Sequence, residues 1–259
     1  MIRRTTILTT AALALLGTPA LAFGPQDFTA RAVEVDGVFG SLEVVVDKSA
    51  TKVTASVTGP ERWLQEVTVR QQGDRLVVEQ KDQPDGMRRW DDRKDWIAVK
   101  LTVPAGTALE VEDFTGEGTV GDLGAALVVD DMTAGKLSIG NVTTAKLGIS
   151  GSGDIILGEV ARDLAVEING SGDVRTGRTS GQLEVEINGS GDVEVARVDG
   201  PVKVEVNGSG DVTLKAGMAD PLAVAIRGSG DVTLDGMARN QAISKAGSGN
   251  VRVTGRADG

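Results

Sequence analysis

The amino-acid sequence predicts an all-β protein in which a β-solenoid, or β-helix, of about 19 residues per coil follows a β-rich N-terminal capping region. Three observations predict this fold class. A Gly-Ser-Gly-Asp turn returns at a nearly constant interval, apolar and polar residues alternate on both sides of it, and 35 glycines accompany only 3% aromatic residues. Such a composition is typical of repeat proteins and differs from that of enzymes with aromatic-lined pockets.

The turn motif defines the repeat. It first stands at residues 151–154 and returns five times, at steps of 19, 19, 19, 20 and 19 residues, with Asn250 replacing the aspartate in the last copy. In the strand before a turn, such as residues 183–188, apolar residues alternate with glutamates, so one face is apolar. One unit cannot bury this face alone, but stacked units can. We therefore expect Leu183, Val202 and Leu222 to lie in line.

The repeat weakens upstream but persists from residue 109, which predicts a solenoid over residues 109–259 with about eight coils. At roughly 4.8 Å per coil, this stack is on the order of 35–40 Å tall. The two corners of a coil differ and the period is nineteen, which disfavours a hexapeptide left-handed helix. The usual crossover rule favours right-handed coils.

Residues 23–108 carry no repeat but contain several β-type segments with alternating apolar residues. Pro60 opens one predicted helical turn, since proline suits the first helical position. We expect this region to form a curled sheet that covers the first coil, because the end of a solenoid needs a cap. Residues 81–95 within it are dense in charge and predict a long exposed loop.

The first 22 residues follow the pattern of a secretory signal peptide. Arg3 and Arg4 precede a short apolar run, and Ala20-Leu21-Ala22 is a small-x-small cleavage site. The apolar run is much shorter than the roughly 20 residues that span a bilayer. The sequence therefore predicts an exported protein, periplasmic or extracellular, with no membrane span after signal removal.

The composition disfavours several classes of binding partner and several kinds of catalytic chemistry. The formal net charge is −10, and removal of residues 1–22 makes it −12, so binding to nucleic acid or to anionic lipid is disfavoured. The chain has no cysteine and no histidine, so it lacks disulfides, the usual general base and the usual zinc ligand. We expect no enzyme activity and no cofactor, and the partner to be an envelope protein or a glycan.

The charged loop supplies one candidate binding site. Arg88, Arg89, Trp90 and Arg93 combine the aromatic and arginine side chains that dominate many binding interfaces, and loops often carry such sites. The alternative is that the loop is only a solvated hairpin tip.

The repeated turn supplies a second candidate, an acidic column. Its members are Asp154, Asp173, Asp192, Asp211 and Asp231. Stacked carboxylates would suit calcium, but known calcium-binding repeats of this kind have a period of nine residues. We expect a structural role instead, in which an aspartate oxygen accepts a backbone N–H at the corner, as Asn250 could also do.

The chain resembles a known bacterial family. A signal peptide, a β-rich lead-in that ends in Val-Lys-Leu-Thr-Val-Pro-Ala at residues 99–105, and iterated Glu-Ile-Asn-Gly-Ser-Gly-Asp at residues 167–173 and 186–192 are similar to the putative autotransporter adhesin family, head GIN domain. The resemblance implies a right-handed single-stranded β-helix. It supplies no catalytic or ligand-binding residues, because the family is otherwise of unknown function.

These observations predict an exported, non-enzymatic β-solenoid that acts in surface recognition, adhesion or envelope scaffolding. One alternative is a polysaccharide-binding or polysaccharide-active solenoid, and Arg175, Arg178, Arg197 and Arg227 supply basic side chains for it. A second alternative is a calcium-stabilised structural protein. The end coils could also pair with a second copy, so oligomers are compatible with the sequence.

Overall fold

The structure is a computed structural model that describes residues 22–81 and 93–255. Nearly all of its regular elements are strands. The N-terminal strands are β1 (Ala22–Phe28), β2 (Ala32–Asp36), β3 (Phe39–Asp47), β4 (Val53–Thr58), β5 (Val67–Gln72), β6 (Arg75–Gln80) and β7 (Ile97–Pro104). Helix α1 (Glu61–Leu64) and a 3-10 turn (Arg93–Asp95) are the helical elements of the described residues.

The remaining strands wind into coils. They are β8 (Ala108–Glu112), β9 (Thr115–Val120), β10 (Ala126–Met132), β11 (Ala134–Ile139), β12 (Thr144–Ile149), β13 (Asp154–Leu157), β14 (Leu164–Ile168), β15 (Val174–Thr179), β16 (Leu183–Gly189), β17 (Val193–Gly208), β18 (Val212–Leu214), β19 (Gly217–Gly228), β20 (Val232–Leu234), β21 (Met237–Ala238), β22 (Gln241–Gly247) and β23 (Val251–Val253). Successive coils lie about 19 residues apart and number about eight. The predicted all-β solenoid is therefore confirmed.

Each coil contributes strands to two parallel sheets. We call the sheet that contains β8, β10 and β12 the first sheet, and the sheet that contains β9, β11 and β13 the second sheet. The predicted alignment of apolar residues is correct, because Leu183 pairs with Val202 and Val202 pairs with Leu222. All three side chains are buried. Stacking thus buries a face that one coil would leave exposed.

Isolated bridges and strand ends form a short third side that closes each coil. Val142 bridges to Val160, and Val160 bridges to Thr179, which in turn pairs with Val198. Val198 is fully buried. Thr179 is equally buried, and its hydroxyl has no hydrogen-bond partner.

The ladders continue across residue 109 into the N-terminal region. In the first sheet, Val33 of β2 pairs with Leu109 of β8, and in the second sheet Leu42 of β3 pairs with Gly118 of β9. On the other side, β2 pairs with β6 and β3 pairs with β7, again in parallel. The stacking order of these coils is therefore β6–β7, β2–β3 and β8–β9, which differs from their order along the chain.

Three strands cover the N-terminal end of the stack. Strand β4 pairs antiparallel with β7, β1 pairs antiparallel with β4, and β5 pairs antiparallel with β6. Residues 23–108 thus contribute two coils as well as a cap. The sequence does not reveal these coils because long insertions separate their strands and remove the 19-residue period. Among the described residues, no helix has the length and apolar character needed to cross a membrane.

Candidate recognition surface

The turn aspartates lie at one corner of the coil and link each coil to the next. Oδ1 of Asp154 accepts the backbone N–H of Asp173 at 3.2 Å, and the same bond recurs up the stack until Oδ1 of Asp231 accepts the N–H of Asn250 at 2.7 Å. The intervening bonds measure 3.1, 2.8 and 2.8 Å. One oxygen of each aspartate is thus engaged by backbone, and the bond joins neighbouring coils rather than the two ends of one turn.

A column of amide side chains runs beside the aspartates. Nδ2 of Asn188 donates to Oδ1 of Asn169 at 3.0 Å, and Nδ2 of Asn207 donates to Oδ1 of Asn188 at 2.9 Å. Nη1 of Arg227 then donates to Oδ1 of Asn207 at 3.2 Å. These bonds add a second set of links along the stack. In the part of the chain that the structure describes, no three acidic side chains form a group that could hold a metal ion.

The charged loop of residues 81–95, which we call the charged insertion, contacts the solenoid through Arg93. The predicted binding residues Arg88, Arg89 and Trp90 lie outside the described residues, whereas Arg93 lies within them. Its Nη2 atom is 2.7 Å from Oε1 of Glu117 on β9, and its guanidinium lies 5.1 Å from the centre of the Trp96 ring. Both charged side chains are about half exposed or more, so this ion pair alone contributes little stability. It does place the end of the insertion against the second sheet.

A second contact, which the sequence does not predict, holds the same end of the insertion. The guanidinium of Arg62 on α1 forms an ion pair with the carboxylate of Asp95, and it also lies 5.4 Å from the Trp63 ring centre. Asp95 is only 1% exposed. A buried carboxylate with a charged partner is a strong positional constraint, because the Asp95 charge would be costly if it were left alone there, whereas Arg62 is more than half exposed. The two residues are 33 positions apart, so no local sequence pattern reveals the contact.

An acidic ridge lies on the outer side of the first sheet at its N-terminal end. It consists of Glu79, Asp36, Glu112 and Asp130, which occupy neighbouring positions on successive strands. Neighbouring strands are about 4.8 Å apart, so the carboxylates repel one another. The sequence does not predict this ridge, because β6 and β2 stack out of chain order. The only indication of the ridge in the sequence is that acidic residues occupy outward positions in the alternating segments.

The environment of the ridge changes the pKa of several carboxyl groups. Partial burial, and then repulsion from Glu79 and Glu34, raises the pKa of Asp36. Burial also raises the pKa of Glu112, and a hydrogen bond to the neighbouring Glu110 acts in the same direction. The pKa of Asp113 is raised by burial and by the charge of Asp131. The folded state therefore holds the protons of Asp36, Glu112 and Asp113 more tightly than the unfolded chain does. Glu79 is the exception in the ridge, because the hydrogen bond from the Arg70 guanidinium lowers its pKa.

A shallow groove of about 580 Å³ lies on the outer side of the second sheet, beside the Arg93–Glu117 contact. The lining residues, which come from β3, β9 and β11, are Ser41, Leu42, Glu43, Glu117, Gly118, Thr119, Lys136 and Ser138. Within the described residues, the groove thus combines hydroxyl groups with both signs of charge.

Comparison with known proteins places these features in a family. A model of the family described as "Putative auto-transporter adhesin, head GIN domain" matches residues 34–218 and 197–257. Among curated proteins, none matches this chain.

Three solved structures share the fold at low sequence identity. A putative lipid binding protein from Parabacteroides distasonis has a TM-score of 0.59 at 15% identity, over 90% of this chain and 95% of that one. A putative adhesin from Parabacteroides merdae has a TM-score of 0.55 at 19% identity, over 88% and 95%. A putative adhesin from Parabacteroides distasonis has a TM-score of 0.54 at 18% identity, over 90% and 95%. At these identities the likeness concerns the fold alone.

Proposed function

Since the chain belongs to the putative auto-transporter adhesin family, head GIN domain, we propose that it is an exported recognition protein of the bacterial envelope that binds its partner without chemical turnover. The observation that carries this proposal is the joint placement of the Arg93–Glu117 contact and the polar groove on one flank of the stack. A continuous β-stack is a stiff support, and a stiff support lowers the cost of presenting a binding surface.

The charge of this flank supports recognition of a polar partner. Arg93 brings the charged insertion to a sheet that carries Glu43, Glu117 and Lys136 on its outer side. The insertion itself contributes Arg88, Arg89 and Trp90, which are residue types enriched in binding hot spots. Within the described residues, the flank offers charged groups and the Trp96 ring beside Arg93 to an envelope protein or a glycan.

Retention on cell envelopes tests this proposal. The mature protein is expected to bind isolated envelopes saturably, and a variant with Arg88→Ala, Arg89→Ala and Trp90→Ala is expected to lose at least about tenfold in affinity, because hot-spot truncations each cost roughly 1 kcal/mol or more. The matched control is a variant with Arg239→Ala and Arg252→Ala, which removes two exposed positive charges at the far end of the stack. Equal retention of the two variants, at equal thermal stability, would show that the insertion does not recognise the envelope.

A further inference from the structure

The groove on the second sheet differs from the rest of that face. The outward column that holds the turn aspartates reaches Asp154, and the next positions along the ladder are Lys136, Glu117 and Ser41. The repeating aspartate pattern therefore ends where the groove begins. Gly118 lies between Leu42 and Leu137 in the core, and a Cβ atom there would come within 2.4 Å of a methyl carbon of Leu137. The backbone of Gly118 lines the groove, and its missing side chain lies on the core side.

Of the three charged side chains that line the groove, the two glutamates form ion pairs with described residues and the lysine does not. Glu43 lies 3.1 Å from the Lys100 ammonium, and Glu117 is paired with Arg93. Lys136 makes no ion pair with any residue that the structure describes, although its ladder neighbours are Glu117 and Asp154. Asp154 lies outside the groove lining and accepts a backbone N–H through one oxygen. The charge that the groove leaves unpaired is therefore positive.

Hydroxyl groups surround this charge. Ser41, Thr119 and Ser138 line the groove, and within the described residues their side chains make no hydrogen bond. Side chains on one face of a sheet are separated by about 4.8 Å across strands and about 6.8 Å along a strand. This spacing presents several donors and acceptors to one ligand that itself carries several hydroxyl groups. A small inorganic anion would use the ammonium but not this array.

From these features we propose that the groove binds a saccharide that carries a carboxylate, of the uronic acid class. The ammonium of Lys136 pairs with the carboxylate, and the hydroxyls of Thr119 and Ser138 bind the sugar hydroxyls. This inference rests on the proposed recognition function and names its ligand. The negative charge of the whole protein opposes long polyanions, so short or sparsely charged saccharides are the preferred ligands, and affinity is modest.

Calorimetric titration of the mature protein with a trimer of galacturonic acid tests the proposal. The trimer is expected to bind, and its methyl ester, which keeps the hydroxyls but loses the charges, is expected to bind at least about tenfold more weakly. Lys136→Glu is expected to weaken trimer binding by about tenfold or more, because repulsion replaces attraction. Lys52→Glu, an exposed residue outside the groove lining, makes the same charge change and is expected to alter binding less than about twofold.

A steric pair of variants tests the location independently of charge. Thr119→Trp fills the groove, whereas Thr233→Trp places the same side chain on the same face, outside the groove. We expect only the first to abolish trimer binding. Three results would each overturn the inference: no binding of the trimer, equal binding of the ester, or equal effects of Lys136→Glu and Lys52→Glu. Saturable retention on envelopes alongside any of them would leave the recognition function standing and remove only the saccharide.

Discussion

Among single residues, the corner glycines leave the least room for a side chain. Gly208 has a φ of +150°, and a Cβ atom there would lie 2.1 Å from the carbonyl oxygen of Gly189 in the preceding coil. We expect Gly208→Ala to lower the free energy of unfolding by about 3 kcal/mol, because the backbone or the coil spacing must shift. Chemical denaturation measures this loss. Ser209→Ala, the adjacent change in the same turn, is the control, and a similar small effect of both would contradict the account.

Thr179, by contrast, is a residue whose replacement we expect to stabilise the protein. Its hydroxyl is buried without a hydrogen bond, and its ladder neighbours Val160 and Val198 are both valines. Thr179→Val is expected to raise the free energy of unfolding by about 1 kcal/mol, since it removes an unsatisfied polar group. Thr176→Val in the same strand is the matched control, because that hydroxyl donates to the carbonyl of Gly158 and its loss should not stabilise. A destabilised Thr179→Val variant would be inconsistent with this explanation.

At the scale of elements, the last coil differs from the coils below it. Gln241 and Lys245 of β22 occupy the positions that Leu222 and Ile226 occupy in β19. Nε2 of Gln241 contacts the carbonyl of Ala238, and Nζ of Lys245 contacts the carbonyl of Gly249 at 3.1 Å. Inward-facing polar and charged residues protect an exposed edge from pairing with another chain.

We expect the loss of this protection to promote self-association. A variant with Gln241→Leu and Lys245→Ile restores the apolar columns at the end of the stack, and we expect it to dimerise through that end. Light scattering after size-exclusion chromatography measures its mass over a range of concentrations. Ala242→Leu with Ala246→Ile adds apolar area to outward positions of the same strand and is expected to dimerise less. A double variant that stays monomeric at high concentration would argue against protection by Gln241 and Lys245.

At the scale of the whole molecule, the acidic ridge makes stability depend on pH. The pKa values of Asp36, Glu112 and Asp113 are raised in the folded state, so the folded protein binds more protons than the unfolded chain as pH falls through them. Stability therefore rises as the pH falls from neutral towards the unfolded-state pKa values of these groups, about 4. Below that range it falls, because Asp47, Glu79 and Asp199 have lowered pKa values and lose favourable interactions when they are protonated.

Thermal melting across this pH range measures the effect. Asp36→Asn is expected to raise the melting temperature at pH 7 and to reduce the gain on acidification, since it removes one of the repelling charges. Glu194→Gln, on the second sheet beside Lys215, is the control. A melting temperature that falls steadily from pH 7 downward would contradict the role of the ridge.

The sequence predicts the parts of the molecule that repeat and misses the parts that depend on long-range order. The period places Leu183, Val202 and Leu222 in register, because each coil is built from local turns and alternating strands. The insertions hide the coils formed by β2, β3, β6 and β7, whose stacking order differs from chain order.

The same limit applies to the candidate surface. Arg93 and the turn aspartates could be chosen from residue type and spacing. The Arg62–Asp95 contact, the acidic ridge and the groove could not, because each joins elements that are far apart in sequence.

We propose that this protein recognises envelope material without altering it. The most direct test is to bind the protein without residues 1–22 to isolated envelopes, elute the captured material and compare its mass spectrum with that of material never exposed to the protein. We expect saturable binding and recovery of the captured material at unchanged mass. Captured material of altered mass, or binding that does not saturate, would contradict it.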